Sequence, residues 1–398
     1  MFGIGTARQK PLYGAIFDIG SESVGVAIVE SDPSTTYPQI LFSHRVHMRI
    51  TKNNLTVEER IRLLKETLFS ASLILSRDGI EALAIHNKRA RVSKILVTCS
   101  APWSYTISRN VAYENESELK ITRELIDDLV ASAEAEIAKH IEEGEQPTQL
   151  TYEVVERATI DVRINDYSVL HPIGLKGKNV SLVHVTGLVP REVLSALHEV
   201  EEKIFPETQV RAHTFMLVLY CILRDIYKEQ TAMTVVHVTG DTTEFGIVEG
   251  DTLVESVSIP VGLESVIRGM MTNERETGKE MYSLLLLHER GELTDEMHAR
   301  VEKELNTYKE AISAALDEHA QLRRFPKTAF VLAPAPFTKL FATLLEPVLT
   351  KNLGINGAPL ILDDSVLNMN ANNIADPNLA ISSRFFHKLH GCGELANE

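Results

Sequence analysis

Cysteine is scarce in this chain. There are three among 398 residues, Cys99, Cys221 and Cys392, far apart and odd in number. Such spacing indicates neither a disulfide framework nor a zinc site, and it fits a reducing cytoplasm. Basic residues are the minority charge, 40 Lys and Arg against 55 Asp and Glu, for a net −15. That balance argues against a duplex nucleic-acid binder, which grips phosphates with clustered cations. Long apolar runs are missing too. The longest, FMLVLYCIL at 215–223, falls short of the ~20 residues that cross a bilayer and reads as a buried helix. The opening MFGIGTARQKPLYG has no signal-peptide core. Fourteen histidines are scattered without an HExxH pair, so each reads as a surface or core residue. Ser100, near Trp103, lacks the context of a nucleophile elbow.

What remains is an ordinary globular composition, 44% apolar and 24% charged, with length for two or three domains. Short β-branched runs bounded by turn residues predict strands. YGAIFDIGSESVGVAIVE (13–30) reads as a hairpin, continued by QILFSHRVHMRI. Helical spacing after a Thr cap predicts a helix over 56–83, and KILVTCSAPW (94–103) returns to strand. Residues 118–143 read as a helix ending at Gly144. TYEVVERATIDVRINDY and VSLVHVTGLVP read as strands, and 190–205 as a helix with proline in its first turn. RAHTFMLVLYCILRDIY (211–227) reads as a helix leading to the strands TAMTVVHVTG, FGIVEG and DTLVESVSIPVG. A charged helical region (264–320), a strand–turn–helix (328–349) and a short helix in NLAISSRFFHKLH complete the order.

Two hairpins match without gaps. In DIGSESVGVAIVE (18–30) and HVTGDTTEFGIVE (237–249), a small polar turn falls at the same place, and Ile28, Val29 and Glu30 align with Ile247, Val248 and Glu249. Each opens a βαβ-type half, as a duplicated fold requires.

Paired hairpins of this form resemble those of the actin-like, sugar-kinase and heat-shock ATPase superfamily, and within it the FtsA and PilM branch. FDIGSESVGVAIVE resembles the first phosphate loop of that branch, and HVTGDTTEFGIVEGDTLVESVSIPVG the second. INDYSVLHPIGLKGKNVSLVHVTGLVP (164–190) resembles the end of the small domain that FtsA inserts in its first half. The resemblance spans about residues 12–390. It implies an α/β, actin-like (ribonuclease H-like) duplicated two-domain fold with a cleft and a small inserted α/β domain. The implied domains are 12–92 plus 363–390, the insertion 93–205, and 206–362. The C-terminal segment with Arg384, Phe385, Phe386 and Lys388 would close the first domain rather than lie on a membrane as an interfacial helix.

In that superfamily both turns grip nucleotide phosphates through backbone N–H groups and hydroxyls, and carboxylates hold Mg²⁺. The resemblance carries nucleotide binding to Asp18, Gly20, Ser21 and Ser23 in the first loop, with Asp18 as the Mg²⁺ residue. In the second it carries over to Gly240, Thr242, Thr243 and Gly262. Here the pattern breaks. His237 stands where the family has aspartate and is no hard oxygen ligand. Thr239 replaces the turn's first glycine, and Asp241 brings negative charge towards the phosphates. Glu244 takes the place of a family acid and compensates in part. VLAPAPFTKL (331–340) puts Pro334 and Pro336 where a glycine-rich turn would meet the base. KEMYSLLLLHERG is a poor match for the Glu and Lys beside it.

The resemblance therefore implies a cytoplasmic scaffold with weak or lost ATP hydrolysis. Its partners would be membrane-associated pilus or division components: the short cytoplasmic tail of a pilus protein, or a tubulin-like protein with self-association. The insertion would serve as a contact surface, and the chain would be recruited to the inner face of the membrane. The other reading is an active Mg-ATP-dependent ATPase or small-molecule kinase of the superfamily, with ATP and Mg²⁺ bound at Asp18. A heat-shock-type chaperone is disfavoured, as no peptide-binding domain follows.

Overall fold

A computed structural model describes residues 10–48, 55–142, 150–206, 208–273, 275–320, 325–355, 357–362 and 376–391. Cys392 lies outside them, as does Gly144, the expected end of a helix. The chain divides into two compact units.

The first unit is built on β1 (Leu12–Ile19), β2 (Ser23–Ser31), β3 (Gln39–His47) and β4 (Lys94–Cys99), ordered β3-β2-β1-β4 and continued by β9 (Gln209–Thr214). β1, β2 and β3 form an antiparallel meander. β1 and β2 are apolar on both faces because helices cover the sheet. α1 (Val57–Ile74) starts at Thr56 in a capping box with Glu59. It continues through a π-helical turn at Leu75–Gly79 into α2 (Ile80–His86). α10 (Pro377–Gly391) packs on β1 and β2 with Phe386 fully buried against Gly14. Arg384 lies over the Tyr37 ring, 4.9 Å from its centroid.

The second unit holds β10 (Met233–Val238), β11 (Thr243–Glu249), β12 (Thr252–Ile259), β13 (Ala329–Leu332) and β14 (Leu360–Ile361). Their order is β12-β11-β10-β13-β14, with antiparallel hairpins on one side of β10 and parallel β13 on the other. Counted within each sheet, both run 3-2-1-4-5. Duplication of the hairpins thus extends to the whole strand order. One core gathers α6 (Leu263–Met270), α7 (Gly278–Arg290), α8 (Asp295–Ala320) and α9 (Thr338–Leu353) on this sheet.

A third sheet also belongs to this unit: β5 (Tyr105–Lys120), β6 (Tyr152–Ile164), β7 (Tyr167–Ser168) and β8 (Lys176–Pro190), ordered β5-β8-β6-β7. α3 (Arg123–Glu142) covers it around Val111, Ile121, Leu129, Ala133 and Leu182. β5 lies along β12, where the Ser108 hydroxyl donates to the Leu253 carbonyl at 2.8 Å.

Three expectations shift. Residues 118–120 end a strand and are not helical, because the exposed outer half of β5 is polar and charged and masks its alternation. Residues 211–214 close β9 before α5 (Phe215–Ile226) begins. The inserted sheet spans 105–190 rather than 93–205. β4 belongs to the first sheet, and α4 (Arg191–Ile204) falls almost wholly in the first unit.

Candidate functional site

Asp18 is the penultimate residue of β1 and lies opposite Gly25 on β2, which in turn lies opposite Arg45 on β3. The three form one row across the sheet. Gly25 has no side chain, so the Arg45 guanidinium crosses over it; a Cβ there would sit 2.7 Å from Arg45 Nη2. Nη2 donates to Asp18 Oδ2 at 2.6 Å and to Asp376 Oδ1 at 3.1 Å, Nε donates to Asp376 Oδ2 at 2.7 Å, and Nη1 to Ser23 Oγ at 2.9 Å. On the other side, Thr98 Oγ1 donates to Asp18 Oδ1 at 3.2 Å and lies 3.0 Å from Ser382 Oγ. Asp18 has no exposed surface. Burial pulls the Arg45 pKa down, but Asp376 and Asp18 outweigh it and hold it above the ordinary arginine value.

The first turn is closed by Gly20 N–H on the Ser23 carbonyl at 2.9 Å. Its hydroxyls already face an anion of the turn's own. Ser21 Oγ donates to Glu22 Oε2 at 2.6 Å, and Ser23 Oγ is 3.4 Å from Glu22 Oε1. A phosphate would need the donors that Glu22 occupies.

The second turn has the same closure, Thr239 N–H on the Thr242 carbonyl at 2.8 Å. Thr239 and Thr242 hydroxyls lie 2.8 Å apart, and Thr242 Oγ1 donates to the Ala101 carbonyl at 3.1 Å. Thr243 Oγ1 donates to the Val261 carbonyl and meets Tyr308 Oη, each at 2.8 Å. The carbonyls of Thr239 and Gly240 accept from Leu263 and Glu264 at the start of α6. They approach so closely that a Cβ on Gly262 would lie under 3.0 Å from both. Gly262 thus joins turn to helix.

Arg268 Nη2 donates to Asp241 at 2.8 Å. His237 and Glu244 face one another across the hairpin with Nδ1 and Oε2 3.7 Å apart, both buried, and Phe215 covers the imidazole at a centroid distance of 4.6 Å.

The 331–340 turn is filled from within. Phe337 N–H donates to the Pro334 carbonyl at 2.8 Å, Thr338 Oγ1 to Ala333 at 2.9 Å, and the buried Phe337 ring packs on Tyr282 at 4.9 Å.

Asp18, Gly20, Ser21 and Ser23 are thus together in the first unit, and His237, Gly240, Thr242, Thr243, Glu244 and Gly262 in the second. Sequence reading missed Arg45, Glu22, Asp376 and Arg268. Arg45 was within reach: pairing the strand alternation of 13–30 with 39–50 puts Asp18, Gly25 and Arg45 on one row. Asp376 and Arg268 come from distant elements, and no local pattern signals them.

No protein-family model matches the chain, and no curated protein matches it. Among solved structures it is similar to a PilM-PilN type IV pilus biogenesis complex, with 14% identity and a TM-score of 0.58 over 97% of this chain and 99% of that one. This chain has the actin-like ATPase fold. Further matches are a Bacteroides thetaiotaomicron protein with an actin-like ATPase fold (11% identity, TM-score 0.43, 96% and 98% covered) and the ethanolamine utilization protein EutJ from Carboxydothermus hydrogenoformans (10%, 0.46, 96% and 91%).

Proposed function

We propose that this actin-fold chain is a cytoplasmic scaffold with weak or lost ATP hydrolysis, acting between membrane-associated components of a pilus or division assembly. The observation that carries it is the state of Asp18, whose two oxygens already have Arg45 and Thr98 as donors. A hard cation needs oxygen ligands in an open octahedral shell. A carboxylate bound to a guanidinium inside a covered sheet does not supply one, and a histidine follows at the corresponding position of the second hairpin. The residues present do not fit Mg²⁺ and nucleotide.

The partner reading draws on the fold match to a PilM-PilN complex over nearly the full length of both chains. The partner we propose on that likeness is the short cytoplasmic tail of a membrane protein. The third sheet is the contact surface: between β6 and β8 it displays Tyr167, Leu170 and Ile173 at 78%, 89% and 53% exposure, an apolar concentration that surfaces carry mostly for binding. Among the described residues no helix is long and apolar enough to cross a membrane.

The test is a calorimetric titration with ATP and Mg²⁺ of the wild-type chain beside Asp18→Ala. Silence in both is expected. Saturable binding by wild type that Asp18→Ala abolishes would restore the ATPase or kinase reading and overturn this one.

A further inference from the structure

The histidines are scattered along the sequence, but the α7–α8 hairpin brings two of them together. α7 ends at Gly291, which has a left-handed backbone (φ 71°) and whose N–H returns to the His288 carbonyl at 3.0 Å. Residues 291–294 turn the chain, and α8 places His298 and Glu302 four residues apart on one face. The imidazoles of His288 and His298 stack with centroids 4.9 Å apart and planes at 22°. His288 Nε2 lies 3.3 Å from Glu302 Oε1. One donor atom from each of the three residues falls within 4.8 Å of the other two.

The bare cluster is poorly satisfied. The His288 side chain is 9% exposed, and its Nδ1 is buried without a hydrogen-bond partner among the described residues. His298 is exposed, so its ring is free to turn towards a shared ion.

We propose that His288, His298 and Glu302 form a binding site for a divalent transition ion of the zinc class. Two imidazoles and a carboxylate match the borderline ions and not Mg²⁺ or Ca²⁺, which take all-oxygen shells. Bonds of about 2.0–2.2 Å draw the three donors inwards by about 1 Å, and water completes the tetrahedron at the exposed side. The ion staples the end of α7 to the second and third turns of α8. The inference stands apart from the nucleotide question, since no residue of either turn takes part.

The experiment uses the full chain, freed of metal with a chelator and titrated with ZnCl₂ against a chromophoric indicator. Binding of one ion per chain is expected, with a thermal midpoint that rises with zinc. Even outer-shell partners of metal ligands are worth about 10- to 100-fold in affinity, so His298→Ala and Glu302→Gln should each weaken binding by at least about tenfold. Both positions are partly or fully exposed, which keeps folding out of the readout, and circular dichroism checks it. Co²⁺ should give the visible absorption of a tetrahedral site in wild type and not in His298→Ala. Absence of stoichiometric binding by wild type, or unchanged binding in both variants, would overturn the proposal.

Discussion

The two turns occupy the same place in two sheets of the same strand order, and they solve one electrostatic problem in different ways. Asp18 corresponds to His237, Glu22 to Asp241, Ser23 to Thr242 and Gly25 to Glu244. Both turns close with the same N–H to carbonyl bond, at 2.9 and 2.8 Å, and both carry an acid at the matching position. In the first, the acid takes the turn's own hydroxyls while a cation two strands away reaches Asp18 through the gap at Gly25. In the second, the acid is met by Arg268 and the hydroxyls go to carbonyls. The backbone closure of the turn is the same in both. Its donors are directed inwards, so the shape alone does not report the ligand.

The largest expected effect comes from Arg45→Ala. It strips the cation from Asp18, which is fully buried, and from Asp376, whose side chain is 18% exposed. Breaking such a pair costs about 3 kcal/mol or more. Arg268→Ala removes the partner of one carboxylate at the edge of its turn, and about 1–2 kcal/mol is expected. Urea unfolding of both variants measures the difference. Equal losses would mean that the two turns depend on their ion pairs alike, and the contrast would fail.

Glycine substitutions sharpen the same comparison. At Gly262 an added Cβ meets the backbone carbonyls of Thr239 and Gly240, which cannot yield without pulling the turn from α6. Gly262→Ala should cost about 2–3 kcal/mol. At Gly25 the Cβ meets the end of the Arg45 side chain, which can swing aside. Gly25→Ala should cost about 1 kcal/mol, mostly as the weakened Arg45–Asp18 contact. Its double-mutant cycle with Arg45→Ala should show coupling, since a Cβ at Gly25 would touch the Arg45 side chain.

These positions also show how much the sequence disclosed. The hairpins and their small polar turns were legible because each rests on local alternation and on a repeat within the chain, while the actin-like fold was implied by the family resemblance that those hairpins carry. The residue types at His237 and at 331–340 were legible one by one. The fate of Asp18 was not, since Asp376 comes from 331 residues away in sequence relative to Arg45. The acid at Asp241 was legible, but its cationic neighbour was not, because Arg268 arrives from a helix with no sequence tie to the turn. β5 was missed for another reason: its outer half is solvated, and period-2 patterning fades where neither face is buried.

The smallest expected effect concerns how the first unit is closed by its last helix. His387 and His390 both place Nδ1 2.9 Å from Ser31 Oγ. Burial holds both imidazoles below their ordinary value. Asp32 and nearby backbone groups oppose that shift, while Arg384 acts with it on His387, and His387 on His390. Both are therefore neutral in the folded chain, whereas the unfolded chain titrates near pH 6.5. Their contribution is complete above about 6.5 and is lost as pH falls from there through the folded-state values, at no more than about 1.4 kcal/mol per pH unit for each histidine. A single hydroxyl proton serves one acceptor nitrogen, and two imidazolium ions at that distance would repel. Hydrogen exchange at pH 7 and pH 5.5 should show α10, β1 and β2 losing protection at the lower pH, and a His387→Gln/His390→Gln variant should lose most of that difference. Equal acid sensitivity in the double variant would assign the loss to other groups.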